Sequence, residues 1–276
     1  MGDSGTVGVE GSKGDPAPAR WVDIDRSAPG VVRLTLLRGG QFNALSFGMM
    51  TALQQAFEQI EADPSVRVVV LAGEGRAFCA GHDLKEMLED CRLEAYQALF
   101  AQCTRMMRTI QRMPQPVIAR VHGIATAAGC QLVASCDLAV ASAEARFAVS
   151  GINLGLFCST PAVALSRNVS RKQAFEMLVT GEFIDAACAL DRGLINRVVP
   201  PERLDEEIEA LCQSILAKPP GVVSVGKSLF YRQIEMGVDA AYQLAGQTMA
   251  CNMVESSAQE GFTAFVEKRP PSWRLG

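Results

Sequence analysis

The run from Val66 to Ala72 limits the possible folds more than any other part of the sequence. It is almost continuously β-branched and aliphatic. A strand that is apolar on both faces is typical of a sheet covered by helices on both sides. The segment 47–62 before it has the period of a helix, because apolar residues recur at spacings of three and four: Met50, Leu53, Phe57 and Ile60. The two segments together predict a layered α/β fold.

The same alternation continues along the chain. Strands are predicted at 31–36, 116–121, 137–141, 146–148 and 196–199. Helices are predicted at 92–113, 129–135, 160–167, 171–180 and 185–192, the last closed by Gly193. The small residues of 123–128 predict a loop, and the pattern is helical from Arg203 onward. We therefore expect a disordered tail at 1–20, an α/β core at 21–200 and a helical C-terminal region at 201–276.

Composition excludes several classes of partner. The 276 residues carry a formal charge of −4 without a basic block, which argues against nucleic acid. No segment reaches the roughly 20 apolar residues that a membrane span needs. Nine cysteines without a C-x-x-C pair, and only two histidines, argue against a metal site. Reduced cysteines, and an N-terminus unlike a signal or transit peptide, predict a cytoplasmic protein.

Two glycine-containing turns could carry chemistry: Ala80-Gly81-His82-Asp83 and Ala127-Ala128-Gly129-Cys130. Each precedes a predicted helix, where free backbone N–H groups can bind an anion. Small residues also let a ligand approach the backbone closely. One such turn is more often plain structure, whereas two N–H groups that face the same oxygen would stabilise an oxyanion.

The order of these motifs resembles the crotonase (enoyl-CoA hydratase/isomerase) superfamily over roughly residues 20 to 273. The resemblance lies in four stretches: Phe42-Asn43-Ala44-Leu45, Ala77 through Lys85, His122 through Asp137, and Glu260 through Pro270. It implies a spiral of β-β-α units followed by a helical C-terminal oligomerisation region. It also implies a homotrimer or a dimer of trimers.

The resemblance further implies that the ligand is a coenzyme A thioester, bound as substrate, with no permanently bound cofactor. The backbone N–H groups of His82 and Ala128 would be the oxyanion donors. The residues expected to contact coenzyme A are Ala44, Asp83, Leu84, Lys85, Gly129, Phe265 and Lys268. Of these, Phe265 and Lys268 match family positions that are often contributed across a subunit interface.

The sequence departs from the family at the two glutamates with which hydratases activate water. Gln131 stands at the first of these positions and Gly151 at the second. A carboxylate can transfer a proton near neutral pH, whereas an amide cannot and glycine has no side chain. The groups that ordinary hydration requires are therefore absent.

Three hypotheses fit this pattern. The first is an enzyme with another proton-transfer group, such as His82, Cys158, Glu86 or a water held by Gln131, that decarboxylates or isomerises an acyl-CoA. Decarboxylating members of the superfamily also have Ala-Gly-His-Asp at the first turn. The second is a hydratase with weak residual activity. The third is a non-catalytic acyl-CoA-binding or assembly subunit.

Overall fold

A six-stranded sheet forms the base of the molecule. The structure, a computed structural model, describes residues 21–274, so the predicted tail at 1–20 lies outside the described residues. Numbered in chain order, the strands lie side by side as β1 (Val22–Asp25), β2 (Val31–Leu36), β3 (Val68–Gly73), β5 (Val117–Val121), β7 (Leu138–Ser142) and β10 (Arg197–Val199). β1 is antiparallel to β2, and the other neighbours are parallel. The β-branched run at 66–72 supplies β3, which is buried almost throughout.

A second sheet of four short strands lies in the order β4 (Ala77–Cys79), β6 (Ile124–Thr126), β8 (Arg146–Ala148) and β9 (Ile184–Asp185). The prediction of a loop over 123–128 is therefore wrong, because its middle three residues pair with β4 on one side and β8 on the other. Strands this short have no periodic signal of their own and depend on their neighbours for stability.

Seven helices of the described chain belong to the α/β part: α1 (Phe47–Glu61), α2 (Leu84–Glu89), α3 (Leu93–Arg112), α4 (Ala128–Ser135), α5 (Ser159–Leu165), α6 (Arg171–Thr180) and α7 (Ala186–Asp191). Gly193 follows α7 with a φ of 81°, which confirms its predicted place after the helix. Short 3-10 turns lie at Gly39–Gln41, Ser150–Leu154, Pro201–Arg203 and Ser272–Arg274. The parallel sheet and the helices confirm the predicted crotonase-type α/β fold.

The main apolar core fills the space between the two sheets and the helices α1, α3 and α4. Its largest buried side chains include Phe57, Phe78 and Phe147. All eight residues of α4 are buried, which is why this helix has no polar face in the sequence. The turn at 127–130 thus leads into a helix whose residues are all buried.

The C-terminal region consists of α8 (Leu204–Leu216), α9 (Pro220–Gln233), α10 (Val238–Met253) and α11 (Ser256–Val266). Of these, α8 packs Ile208 and Leu211 against the outer face of the large sheet. No residue of α10 is buried, and Tyr242 is 77% exposed. Within residues 21–274, none of the helices has the length and apolar character to cross a bilayer.

Lys227 ties the C-terminal region to the α/β part. It is the one buried residue of α9. Its Nζ donates to the carbonyl oxygens of Ile110, at 2.7 Å, and Gln115, at 2.8 Å. It also forms an ion pair of 2.6 Å with Asp137 Oδ2, which accepts from Val117 N. One lysine thus joins α9 to the end of α3, the start of β5 and the end of α4.

The nine cysteines are free in the structure. Six are buried and pack as small apolar residues. Cys91 and Cys251 are exposed, because they lie at the end of α2 and on the uncovered α10.

Candidate active site

The first glycine turn links β4 to α2. Gly81 has a φ of 93°, a conformation that favours glycine. Asp83 then caps α2, since its Oδ1 accepts from the backbone nitrogens of Lys85 at 3.0 Å and Glu86 at 3.4 Å. The predicted sequence of strand, tight turn and helix is confirmed here.

A buried asparagine holds this turn from behind. Asn43 is fully buried, and its Nδ2 donates to the carbonyl oxygens of Glu74, at 2.9 Å, and Ala77, at 2.8 Å. Leu45 N then donates to Gly81 O at 2.7 Å. This structural role of Asn43 is not evident from the Phe42-Asn43-Ala44-Leu45 motif. The sign of it in the sequence is only that Asn43 is polar and stands between two apolar residues, Phe42 and Ala44.

The second turn contains a strained residue that the sequence did not reveal. Ala127 has φ 50° and ψ −122°, a region that alanine rarely occupies. Its N–H donates to Ala148 O at 3.0 Å, and α4 begins at the next residue. Such a conformation costs about 1–3 kcal/mol and persists only where its surroundings impose it. The strain orients the peptide that carries the N–H of Ala128.

The two turns are in contact. A Cβ added to Gly81 would lie 2.9 Å from Ala127 Cβ and 3.1 Å from Ala128 N. Across residues 21–274, neither His82 N nor Ala128 N donates a hydrogen bond to the protein. Both turns therefore present an unpaired backbone N–H beside the same space, which is the arrangement an oxyanion hole requires.

The side chain of His82 is packed beside its own N–H. Its Nδ1 lies 3.3 Å from Leu45 O, and its ring meets Phe100 edge to face at 5.6 Å. Because a carbonyl oxygen can only accept, Nδ1 carries the proton, and Nε2 is a buried acceptor with no partner in the described chain. Burial lowers the pKa of His82 below its ordinary value, and the bond to Leu45 opposes that shift. The imidazole is thus neutral near pH 7.

Gln131 lies one turn after Ala128 and reaches a cleft of about 850 Å³. Its side chain is buried, and its Oε1 has no hydrogen-bond partner in the described residues. Helices α3, α4, α5 and α9 form the walls of this cleft. Gln131, the predicted position of the first family glutamate, therefore faces a cavity large enough for a small ligand.

Gly151, at the second glutamate position, lies where Cys158 fills the adjoining space. A Cβ at Gly151 would be 2.7 Å from Cys158 Sγ and 2.8 Å from Leu156 O. Cys158 is buried, and burial raises the pKa of its thiol. A protonated, buried thiol is a poor nucleophile and a poor base at neutral pH.

The predicted coenzyme A contacts fall into two groups. Ala44, Asp83, Leu84 and Lys85 lie together at the first turn, partly or fully exposed. Phe265 is 83% exposed on α11, and Lys268 follows that helix with a φ of 57°. The structure does not bring this second group to the turns, because α11 packs chiefly against α10.

Gly129 has a packing function that the sequence did not show. A Cβ at this position would lie 2.0 Å from the carbonyl oxygen of Cys79. The glycine is therefore required for the close approach of α4 to β4. Its contact with coenzyme A stays a prediction, and a larger residue here would collide with the protein backbone.

Comparison with known proteins defines the class. The family model described as enoyl-CoA hydratase/isomerase matches residues 26–275. The chain belongs to this family, which is the crotonase superfamily that the sequence motifs predict. A solved enoyl-CoA hydratase from Mycobacterium smegmatis is 63% identical, with a TM-score of 0.91, and the match covers 92% of this chain and 99% of that one.

Two further relatives share the name enoyl-CoA hydratase domain-containing protein 3. The solved human protein is 44% identical with a TM-score of 0.88, and the match covers 92% of this chain and 100% of that one. The Xenopus laevis protein is 46% identical over 88% of this chain and 83% of its own length. Its name carries the word mitochondrial, as do those of the mouse and human proteins.

These names contradict the predicted cytoplasmic location. That prediction rested on reduced cysteines and on the composition of residues 1–20. Cysteine usage reports redox conditions, which do not separate the cytoplasm from other reducing compartments. Neither observation was specific enough to carry the conclusion.

Proposed function

We propose that this chain binds acyl-coenzyme A thioesters and stabilises negative charge on the thioester oxygen with the N–H groups of His82 and Ala128. The observation that carries the proposal is the pair of unpaired N–H groups on two turns in contact. Preorganised donors of this kind strengthen their bonds as charge develops on the oxygen, which lowers the barrier to an enolate or oxyanion.

Ordinary hydration is not the reaction that these residues favour. Neither Gln131 nor Gly151 can supply the carboxylates that activate water, and general acid–base groups contribute about 10²–10⁴-fold each. The oxyanion site remains, so reactions that pass through a thioester enolate remain available. We therefore expect a family member that catalyses a reaction other than hydration.

The side chain of His82 supports a second candidate function, the isomerisation or decarboxylation of an acyl-CoA. Its neutral imidazole offers Nε2 as a free acceptor beside the proposed donor N–H. In an isomerisation, such a base would take a proton from carbon next to the thioester and return it further along the chain. In a decarboxylation, the electron pair of the broken C–C bond would pass to the enolate, with little demand for a base.

Coenzyme A would follow the first turn past Ala44, Asp83, Leu84 and Lys85. An ammonium such as that of Lys85 suits a phosphate. Phe265 and Lys268 would then reach the coenzyme from another subunit of a homotrimer or a dimer of trimers. The exposed apolar side chains of the C-terminal region support such an assembly: Met236, Val238, Tyr242, Met249 and Val254.

Calorimetry and kinetics test the proposal separately. Octanoyl-CoA should bind, and absence of heat with any acyl-CoA would overturn the proposal. Crotonyl-CoA hydration, followed by loss of the conjugated thioester absorbance, should be at least about a hundredfold slower than in a two-glutamate hydratase. A rate within tenfold would show that Gln131 and Gly151 do not limit the reaction.

The remaining reactions are separated by product analysis. Mass spectrometry after incubation with malonyl-type and unsaturated thioesters would detect carbon dioxide loss or double-bond migration. Binding without turnover of either substrate would select the non-catalytic acyl-CoA-binding subunit.

A further inference from the structure

The cleft beside Gln131 lies along α3, beyond the point where this helix reaches the oxyanion turns. Phe100 contacts the ring of His82, so this end of α3 lies at the turns. Thr104, Arg108 and Arg112 follow at intervals of four residues and all line the cleft. At 1.5 Å per residue, Arg108 lies about 12 Å and Arg112 about 18 Å further along the helix axis.

Positive charge is concentrated in this cleft, although the whole chain is acidic. Four arginines line it: Arg108 and Arg112 on α3, Arg167 just after α5, and Arg232 on α9. Two carboxylates, Asp137 and Glu235, also line it, so positive charge exceeds negative charge. Only Arg167 forms an ion pair, at 2.7 Å to Glu235. Within residues 21–274, the other three form no ion pair or hydrogen bond. Arg112 and Arg232 therefore have no carboxylate partner in the described chain, and Arg108 interacts with Glu235 through its charge alone, without a hydrogen bond. All three can donate N–H bonds to an anion.

The rest of the lining is also poorly matched to a plain alkyl chain. Gln131 contributes a buried amide oxygen without a partner, and Ser135 and Gln111 are polar wall residues. An alkyl chain would leave such groups without hydrogen bonds after displacing water, which costs affinity. A ligand with polar or charged atoms at its far end could form hydrogen bonds with these groups.

We propose that the acyl group of the substrate carries a carboxylate at the end remote from the thioester, bound by Arg108 with Arg112 and Arg232. This inference rests on the proposed acyl-CoA function and adds the substrate class. Guanidinium groups bind carboxylates through paired N–H donors, and the helix spacing places them beyond the reacting carbons. The substrate is then the mono-thioester of a dicarboxylic acid.

The test compares octanoyl-CoA with suberyl-CoA, which have the same chain length and differ in the terminal carboxylate. Calorimetry on the full chain should show suberyl-CoA binding about tenfold tighter. The triple variant R108Q/R112Q/R232Q should lose this preference and retain octanoyl-CoA binding. Arg105→Gln is the matched control, because Arg105 is exposed on the same helix and does not line the cleft.

The outcomes separate this inference from the proposed function. Equal binding of the two thioesters to the unaltered protein would overturn the inference and leave the proposed function intact. A preference that survives in the triple variant would overturn it as well. No binding of either thioester would instead remove the proposed function. Thermal melting of each variant verifies folding, which these exposed substitutions should not disturb.

Discussion

Replacing Lys227 with methionine gives a demanding test of how the C-terminal region is held. Methionine keeps most of the aliphatic length and removes the ammonium. Three bonds of 2.6–2.8 Å are lost, to Ile110 O, Gln115 O and Asp137. The side chain of Lys227 is 6% exposed and that of Asp137 12%, so water cannot replace the lost partner fully.

The expected cost follows from this burial. Removing one member of a buried ion pair leaves an uncompensated charge and typically costs about 3–5 kcal/mol of unfolding free energy. Protonation of Asp137 limits the cost, because burial already raises the pKa of this carboxyl and the loss of Lys227 would raise it further. A raised pKa means that the folded protein binds this proton more tightly than the unfolded chain does. The free energy of unfolding therefore falls as pH rises. The variant should therefore be weaker at pH 8 than at pH 5, relative to the unaltered protein.

Urea unfolding at the two pH values measures the effect. Lys172→Met is the matched control, since Lys172 is exposed on α6, and should change stability by less than about 0.5 kcal/mol. In a double-mutant cycle, Lys227→Met with Asp137→Asn should cost less than the sum of the single changes. A loss below about 1 kcal/mol for Lys227→Met would refute the reasoning, because the bonds would then be no stronger than exposed ones.

Two predictions concern the site. Ala127→Gly should raise the unfolding free energy by about 1 kcal/mol, because the relief of backbone strain exceeds the entropic cost of glycine. Ala127→Val should lower it by about 1–3 kcal/mol. Equal stability of the two variants in urea unfolding would contradict a strained backbone. His82→Asn should reduce the loss of melting temperature between pH 7 and pH 5. The folded pKa of His82 is lowered by burial, so protonation favours the unfolded state as pH falls below about 6.5. Burial lowers the pKa of His122 as well, so His122→Gln shows how much of the pH dependence the other histidine contributes. An unaltered pH profile for His82→Asn would show that the His82 ring is not the titrating group.

Much of the larger sheet and its helices could be predicted because the segments are long and periodic. The β-branched run of β3 and the apolar stripe of α1 show this. The strand β1 was missed, because its sequence Val22-Asp23-Ile24-Asp25 is half polar and lies at an edge of the sheet. The three-residue strand β6 was missed because only its partners β4 and β8 define it.

The two turns of the site could be located from sequence, but the reason for each residue could not. The sequence predicts that Gly129 lets a ligand approach the backbone, whereas the structure shows that it lets the Cys79 carbonyl approach. Ala127 gives no signal at all, since alanine normally avoids its conformation. The role of Lys227 depends on partners more than a hundred positions away in the case of Ile110, a separation that local patterns do not report.

The packing around Gly151 has a consequence for any attempt to install a carboxylate there. The single substitution Gly151→Glu should not place a glutamate in the site without displacing its neighbours. The first carbon of the new side chain would meet both the Cys158 sulfur and the Leu156 carbonyl. A smaller residue at position 158 would relieve only the first contact, and the loop would still have to move. The loop over residues 151–158 therefore acts as a steric filter, because it excludes any side chain at position 151 unless its own backbone is rebuilt.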